Sequence, residues 1–187
     1  MASTGRTRFS LQRRKVVAGT MAVAAQLGFP IPSFASAKRP TSIGREKMDI
    51  ERFVEECVVA NQGADAQTAV TDVLARAVSR PNSVIAALGE PTRAGLNVLH
   101  RSSTLTIFAA TWTPQMNLMP HDHLMWANIG IYTGREDNIF WKRSPGGIEA
   151  YAAEALFEKD AASLPEDAVH SVTNPLLRFT GGIHIYG

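Results

Sequence analysis

Cysteine is almost absent from this chain: Cys57 is the only one among 187 residues, which excludes an internal disulfide framework and a metal cage built of thiolates. Short-period repeats and low-complexity tracts are missing too, so collagen-like, solenoid and disordered readings fall away. Acidic residues are missing from the first 37 positions, which hold five bases: Arg6, Arg8, Arg13, Arg14 and Lys15. Setting those five aside leaves 14 bases against 17 acids, so the net charge of +2 for the whole chain becomes −3 for the rest. The positive charge is therefore a leader and not a patch on a folded body, and no nucleic-acid partner is expected. What remains is long enough to bury one full core and too short for two ordinary domains.

The leader has three parts. A basic stretch ends in Gln12-Arg13-Arg14-Lys15, an apolar run extends from Val16 to Leu27, and Pro30 and Pro32 precede the small triplet Ala35-Ser36-Ala37. This is the layout of an export signal over residues 1–37, followed by a charged linker over 38–47. The adjacent arginines resemble the twin-arginine type, an address for proteins that cross the membrane already folded. The apolar run is too short to span a bilayer, which takes about 20 residues, so no stable membrane anchoring is expected. The expected location is periplasmic after export, or cytoplasmic where the leader is not read.

The folded domain is expected over 48–187. Ile50, Phe53, Val54, Cys57 and Val58 fall on one face of a helix with Asp49 as its N-cap, which makes Cys57 a buried small hydrophobe rather than a reactive thiol. Ala69, Val70, Val73, Leu74, Ala77 and Val78 mark a second helix, stopped near Pro81. A third, short helix is capped by Asn82 and ends at Gly89. From about Leu96 the pattern changes to short runs rich in β-branched and aromatic residues, separated by Gly, Pro, Asp and Asn. Strands are expected near 97–100, 105–112, 126–132, 139–143, 149–156, 168–172 and 179–186, with a tight turn at Thr133-Gly134. The alanines at 152, 153 and 155 leave the 149–156 segment ambiguous with helix. The architecture that results is a helical layer over about 49–89 and a mainly β sandwich or barrel over about 96–187. Trp112 and Trp126 read as core aromatics.

His121-Asp122-His123 follows Pro120. In an extended chain, side chains two apart point to the same face, so two imidazoles converge on one point. Further on, Pro165-x-Asp167-x-x-His170-x-x-x-Asn174 supplies a third histidine at the start of another strand. Together they resemble the two-part motif of the cupin double-stranded β-helix, whose barrel points such histidines inward onto a metal. In many cupins a glutamate four or five residues after the H-x-H completes the site, and here those positions are Ala127 and Asn128. The nearest acids, Glu136 and Asp137, lie beyond the turn and read, with Arg135, as a solvated turn or local ion pair. Three neutral imidazoles leave a divalent ion with its full charge and open positions, suited to an anionic substrate.

The stretches His121 to Trp126, Gly130 to Asn138, Val169 to Pro175 and Gly182 to Gly187 resemble the cysteine-dioxygenase-like branch of the cupins, and in particular its bacterial predicted metal-dependent enzymes. The resemblance implies Fe(II) held by His121, His123 and His170, with zinc, manganese or nickel as alternatives. It implies Arg101 as the residue that pairs with a substrate carboxylate, and His184 and Tyr186 as catalytic residues at the end of the last strand. Two departures stand out. Gly182 replaces the family serine of the Ser-x-His-x-Tyr stretch, and Asn128 replaces the cysteine that animal enzymes link to the tyrosine. From alternation alone, Gly182, His184 and Tyr186 share one face of that strand, turned to a cavity, while Ile183 and Ile185 share the other, turned to the helical layer. The function implied is a mononuclear iron dioxygenase that uses O2 to convert a small thiol carboxylate to a sulfinate. A metal-binding cupin without catalysis that senses a small acid, and a zinc or manganese hydrolase or isomerase, are the alternatives. Oligomeric state is not legible.

Overall fold

The computed structural model describes residues 46–187. The expected export signal and all but the last two residues of the linker lie outside the described residues.

Helix α1 spans Ile50–Ala60, and its N-cap Asp49 accepts a hydrogen bond from the Arg52 amide at 3.0 Å, as the sequence suggests. Helix α2 spans Ala66–Val78 and buries Val70, Val73, Leu74 and Val78. Helix α3 spans Pro81–Leu88. It starts two residues earlier than an Asn82 cap would place it, because Pro81 at the first helical position has its φ preset and its missing N–H would be unpaired there anyway. Asn82 is therefore inside the helix.

Among the described residues nine strands follow: β1 (Gly95–Arg101), β2 (Thr106–Trp112), β3 (Asn117–Asp122), β4 (Ala127–Thr133), β5 (Arg135–Ser144), β6 (Gly147–Phe157), β7 (Ala161–Leu164), β8 (Val169–Thr173) and β9 (Thr180–Tyr186). They form two antiparallel sheets, ordered β1-β2-β9-β4-β7 and β3-β8-β5-β6. Neighbours in these sheets are mostly distant in sequence, the mark of a jelly roll and of the cupin double-stranded β-helix. The alanine-rich segment is strand β6, a hairpin partner of β5 from Ser144↔Gly147 to Arg135↔Phe157. At the turn between β4 and β5, Gly134 has φ 84°, a conformation side-chained residues rarely take.

Strands β3 and β7 were not expected. Pro120 interrupts any reading of β3 as a strand interior, and the structure resolves this by making β3 an edge strand of its sheet, where a missing donor is tolerated. Strand β7 is four residues of Ala-Ala-Ser-Leu, too short and too small in side chain to register as a pattern.

Two apolar clusters divide the core. One joins the helices to the outer face of the larger sheet, through Phe53, Cys57, Val70, Leu74 and Val78 against Ile107, Tyr132, Ile183 and Ile185. The other fills part of the space between the sheets with Ala127, Ile129, Ile131, Phe140, Leu156, Leu164 and Ala168. Ile183 and Ile185 are thus where alternation put them. Cys57 is fully buried, and burial pushes its thiol up to about 12.

Candidate metal centre

The three expected histidines meet at one end of the barrel. His121 lies on β3 and is paired in register with His170 on β8, while His123 follows β3 immediately. The ligand-capable atoms of the three lie within 4.8 Å of one another, and the group could hold a metal ion. Two rings have their outer nitrogens engaged. His121 Nδ1 donates to the Met119 carbonyl at 2.9 Å, and His170 Nδ1 donates to Asn138 Oδ1 at 2.7 Å. Each bond fixes a tautomer that leaves Nε2 as a bare lone pair. His170 Nε2 faces His123 Nε2 at 3.1 Å. Two such nitrogens need a proton or a cation between them.

Burial, reinforced by repulsion from His121, holds the imidazole of His123 down at about 4 and that of His170 at about 3. Both are neutral near pH 7, the state in which imidazole binds metal. Asp122, between the two ligand candidates, is drawn to Arg143 on β5 at 2.5 Å. This donor set of three neutral nitrogens fits a first-row divalent ion.

The cavity wall opposite the histidines comes from β9 and β2. Because directly paired residues share a face, Phe108 and His184 point together into the barrel, and so do Thr106 and Tyr186. The Tyr186 ring centroid is 4.6 Å from that of His123 and 5.3 Å from that of Phe108. Its hydroxyl lies 3.5 Å from His184 Nδ1, and burial raises its pKa above the ordinary phenol range. His184 is stacked on Phe108 and lies edge-on to Trp112.

One expectation about this region is overturned. Glu136 is not part of a solvated turn: it is fully buried on the inner face of β5. Its Oε2 accepts from Trp112 Nε1 at 2.6 Å, its Oε1 accepts from Asn138 Nδ2 at 3.1 Å, and Oε2 lies 3.4 Å from His184 Nε2, an ion-pair distance without hydrogen-bond geometry. Burial pushes this carboxyl up, but His184 and the two donors outweigh it and hold it below the usual range, so it is ionised. Trp112 is accordingly a polar partner at the cavity and not simply a core aromatic. Trp126 does pack against the core cluster. Arg135 and Asp137 form the expected local pair, with contacts of 2.6 and 2.9 Å, and the Arg135 guanidinium covers the Phe157 ring.

Arg101 is exposed at the end of β1. Its register, Arg101↔Thr106 and Thr106↔Tyr186, puts it on the cavity side of the sheet, two strands from the tyrosine and therefore about 10 Å from it along the sheet. Among the described residues it has no ion-pair partner. Asn174 stands apart from the histidines and ties the β8–β9 loop, donating to the carbonyls of Thr113 and Arg178 and accepting from the Leu176 amide. Asn128 faces outward and donates to the Gln67 carbonyl of α2. The residues that sequence reasoning missed, Glu136 and Asn138, share a face with Phe140 at period two. The signal was present, but it is legible only if β5 is started at Arg135 and not at Ile139.

No family model matches the chain, and no curated protein matches it. Solved structures similar to it include a cupin domain from Bordetella pertussis Tohama I, at 18% identity over 52% of this chain and 95% of that one, with a TM-score of 0.39. A Cupin 2 conserved barrel domain protein from Salinispora arenicola is 18% identical over 50% of this chain and 74% of that one, with a TM-score of 0.40. An RmlC-like cupin family protein from Methanocaldococcus jannaschii, with a double-stranded β-helix fold, is 10% identical over 52% and 82%, with a TM-score of 0.44.

Proposed function

We propose that this chain is a mononuclear thiol dioxygenase-like enzyme that uses O2 to oxidise a small thiol carboxylate to a sulfinate. The observation that carries the reading is the juxtaposition of three carboxylate-free imidazoles with a half-buried tyrosine, the Tyr186 ring centroid lying 4.6 Å from that of His123. His121, His123 and His170 would hold iron. The metal, when bound, would lower the pKa of a coordinating thiol and supply one centre for sulfur and O2.

The chain's own residues then have separate tasks. Arg101 reaches from the exposed end of β1 toward the cavity and pairs with the substrate carboxylate through two charge-assisted hydrogen bonds. Phe108 and the Tyr186 ring, stacked at 5.3 Å, keep water from the side of the cavity facing the histidines. The Tyr186 hydroxyl, kept protonated by its burial, donates a hydrogen bond toward oxygen as charge develops there. His184 Nδ1 sets the direction of that hydroxyl. Both oxygen atoms go to sulfur, which supplies all the electrons, so RSH and O2 give RSO2H without an added reductant.

The test is anaerobic loading with Fe(II), followed by oxygen-electrode measurements with a panel of thiol acids and mass analysis of the product. Oxygen uptake matched by sulfinate formation supports the reading. Stoichiometric iron with no uptake on any thiol acid overturns it and leaves a metal-binding cupin that takes up a small acid. Arg101→Ala is expected mainly to raise KM with iron content intact, and Tyr186→Phe to lower kcat by about tenfold to a thousandfold, as for loss of a single oxyanion donor.

A further inference from the structure

A line of polar side chains lies end to end inside the barrel. The line starts at His170, passes to Asn138 and Glu136 on β5, crosses to His184 and Tyr186 on β9, and ends where the Tyr186 ring meets His123. It therefore leaves the histidine cluster by one ring and returns to it by another. Glu136 is its midpoint and its one crossing between the two sheets. No exposed side is left to this carboxylate, and each oxygen faces a different arm of the line.

The His184 end of that crossing is incomplete without an acid. His184 Nε2 is buried with no hydrogen-bond partner, and Gly182, the neighbour best placed to offer one, has no side chain: a Cβ there would stand 3.2 Å from that same nitrogen. The group that does approach Nε2 comes from the opposite sheet, Glu136 Oε2 at 3.4 Å.

We infer that Glu136 is a positioning residue for this site: one oxygen fixes the His184 ring, and with it the Tyr186 hydroxyl, while the other fixes the Asn138 amide and hence the His170 ring. The Tyr186 half rests on the function proposed above, and the His170 half rests on geometry alone. An ionised carboxylate suits the position because three donors converge on it. A glutamine has one acceptor oxygen, so it keeps the bond from Asn138 or the bond from Trp112 but not both, and its NH2 then confronts a donor.

Two measurements on the metal-free protein test this. In the parent protein, 15N spectra of labelled histidines should show a proton on His184 Nε2, the nitrogen that faces the carboxylate. A bare Nε2 with the proton on Nδ1 overturns the inference, and this measurement needs no variant to fold. Glu136→Ala, which accepts from neither Asn138 nor Trp112, with its fold checked by circular dichroism, should shift the His184 ring signals and weaken Co(II) binding, by less than the roughly tenfold to hundredfold that loss of a ligand's direct outer partner brings. Parental Co(II) affinity in the folded variant overturns the inference. Neither readout uses oxygen consumption, so a parent that binds Co(II) but oxidises no thiol fails the proposed function while leaving Glu136 in its role. A folded Glu136→Ala protein with parental Co(II) affinity does the reverse.

Discussion

Asn138→Ala is the substitution for which the structure supplies the fullest account. Asn138 is buried, accepts from His170 Nδ1 at 2.7 Å and donates to Glu136 Oε1 at 3.1 Å. Alanine removes both bonds. An orphaned buried donor on His170 costs about 1–3 kcal/mol, and loss of a donor to an ionised acceptor about 1.5–3 kcal/mol. The sum, about 2.5–6 kcal/mol, is a large part of the 5–15 kcal/mol typical of a folded domain. The variant should therefore fold but unfold at markedly lower urea.

Its effect on metal is separate and comes from the tautomer. With the Asn138 carbonyl gone, nothing holds the His170 proton on Nδ1, and the ring spends part of its time with the proton on the nitrogen that must ligate. Loss of such an outer partner lowers metal affinity by about 10–100-fold, or about 1.4–2.7 kcal/mol. Competition against a chromophoric chelator reads this directly. Asn138→Asp provides the contrast: it keeps an acceptor for His170 but sets a second carboxyl against Glu136, so it should retain more metal affinity than alanine while still losing stability. Parental metal affinity in Asn138→Ala would refute the reasoning, whatever the change in stability.

Two more outcomes follow from burial. Cys57, fully buried with its thiol pushed up to about 12, should resist an aromatic disulfide reagent in the native protein at pH 8 and react completely in urea; rapid native reaction would contradict its place under the helices. In metal-stripped protein, His123 and His170 titrate near 4 and 3 when folded, against an ordinary 6.5 when unfolded. Below about pH 6.5 the unfolded chain takes up protons that the folded chain refuses, so stability should fall from there down toward pH 3, and the urea midpoint at pH 5 should lie below that at pH 7. An equal or higher midpoint at pH 5 would count against neutral buried histidines.

Long periodic segments were the most legible part of the sequence. The α1 cap, the face of α2, and the alternation of β9 all follow from spacing, because each segment presents several side chains to one surface. Strand β3 was not legible because its residues, Asn117 to Asp122, carry a proline and polar groups that only an edge position accommodates. The three histidines were found because metal-ligand spacing is a local signal joined to a distant one. Glu136 was missed for a different reason. An acid two residues after a glycine turn is normally solvated, and nothing in the sequence says that Trp112, 24 positions earlier, and His184, on the far sheet, close over it. Partners that approach from another sheet leave no local pattern.

The helical layer packs on the face of β9 opposite the polar line, yet it governs where that line lies. On β9, Ile183 and Ile185 are fully buried against the helices, and the residues between and beyond them, His184 and Tyr186, face the cavity. Side chains alternate with a period of two, so a slip of one residue in this strand would carry both isoleucines into the polar interior and place His184 and Tyr186 beneath α1 and α2. Each isoleucine withdrawn from its apolar site forgoes roughly 1.5–3 kcal/mol. Glu136 would at the same step lose the His184 ring that faces it at 3.4 Å. Apolar packing on the outer face and the carboxylate on the inner face therefore select the same register. The helices that precede the barrel set the aim of Tyr186 by holding its neighbours Ile183 and Ile185 from the opposite face of the strand.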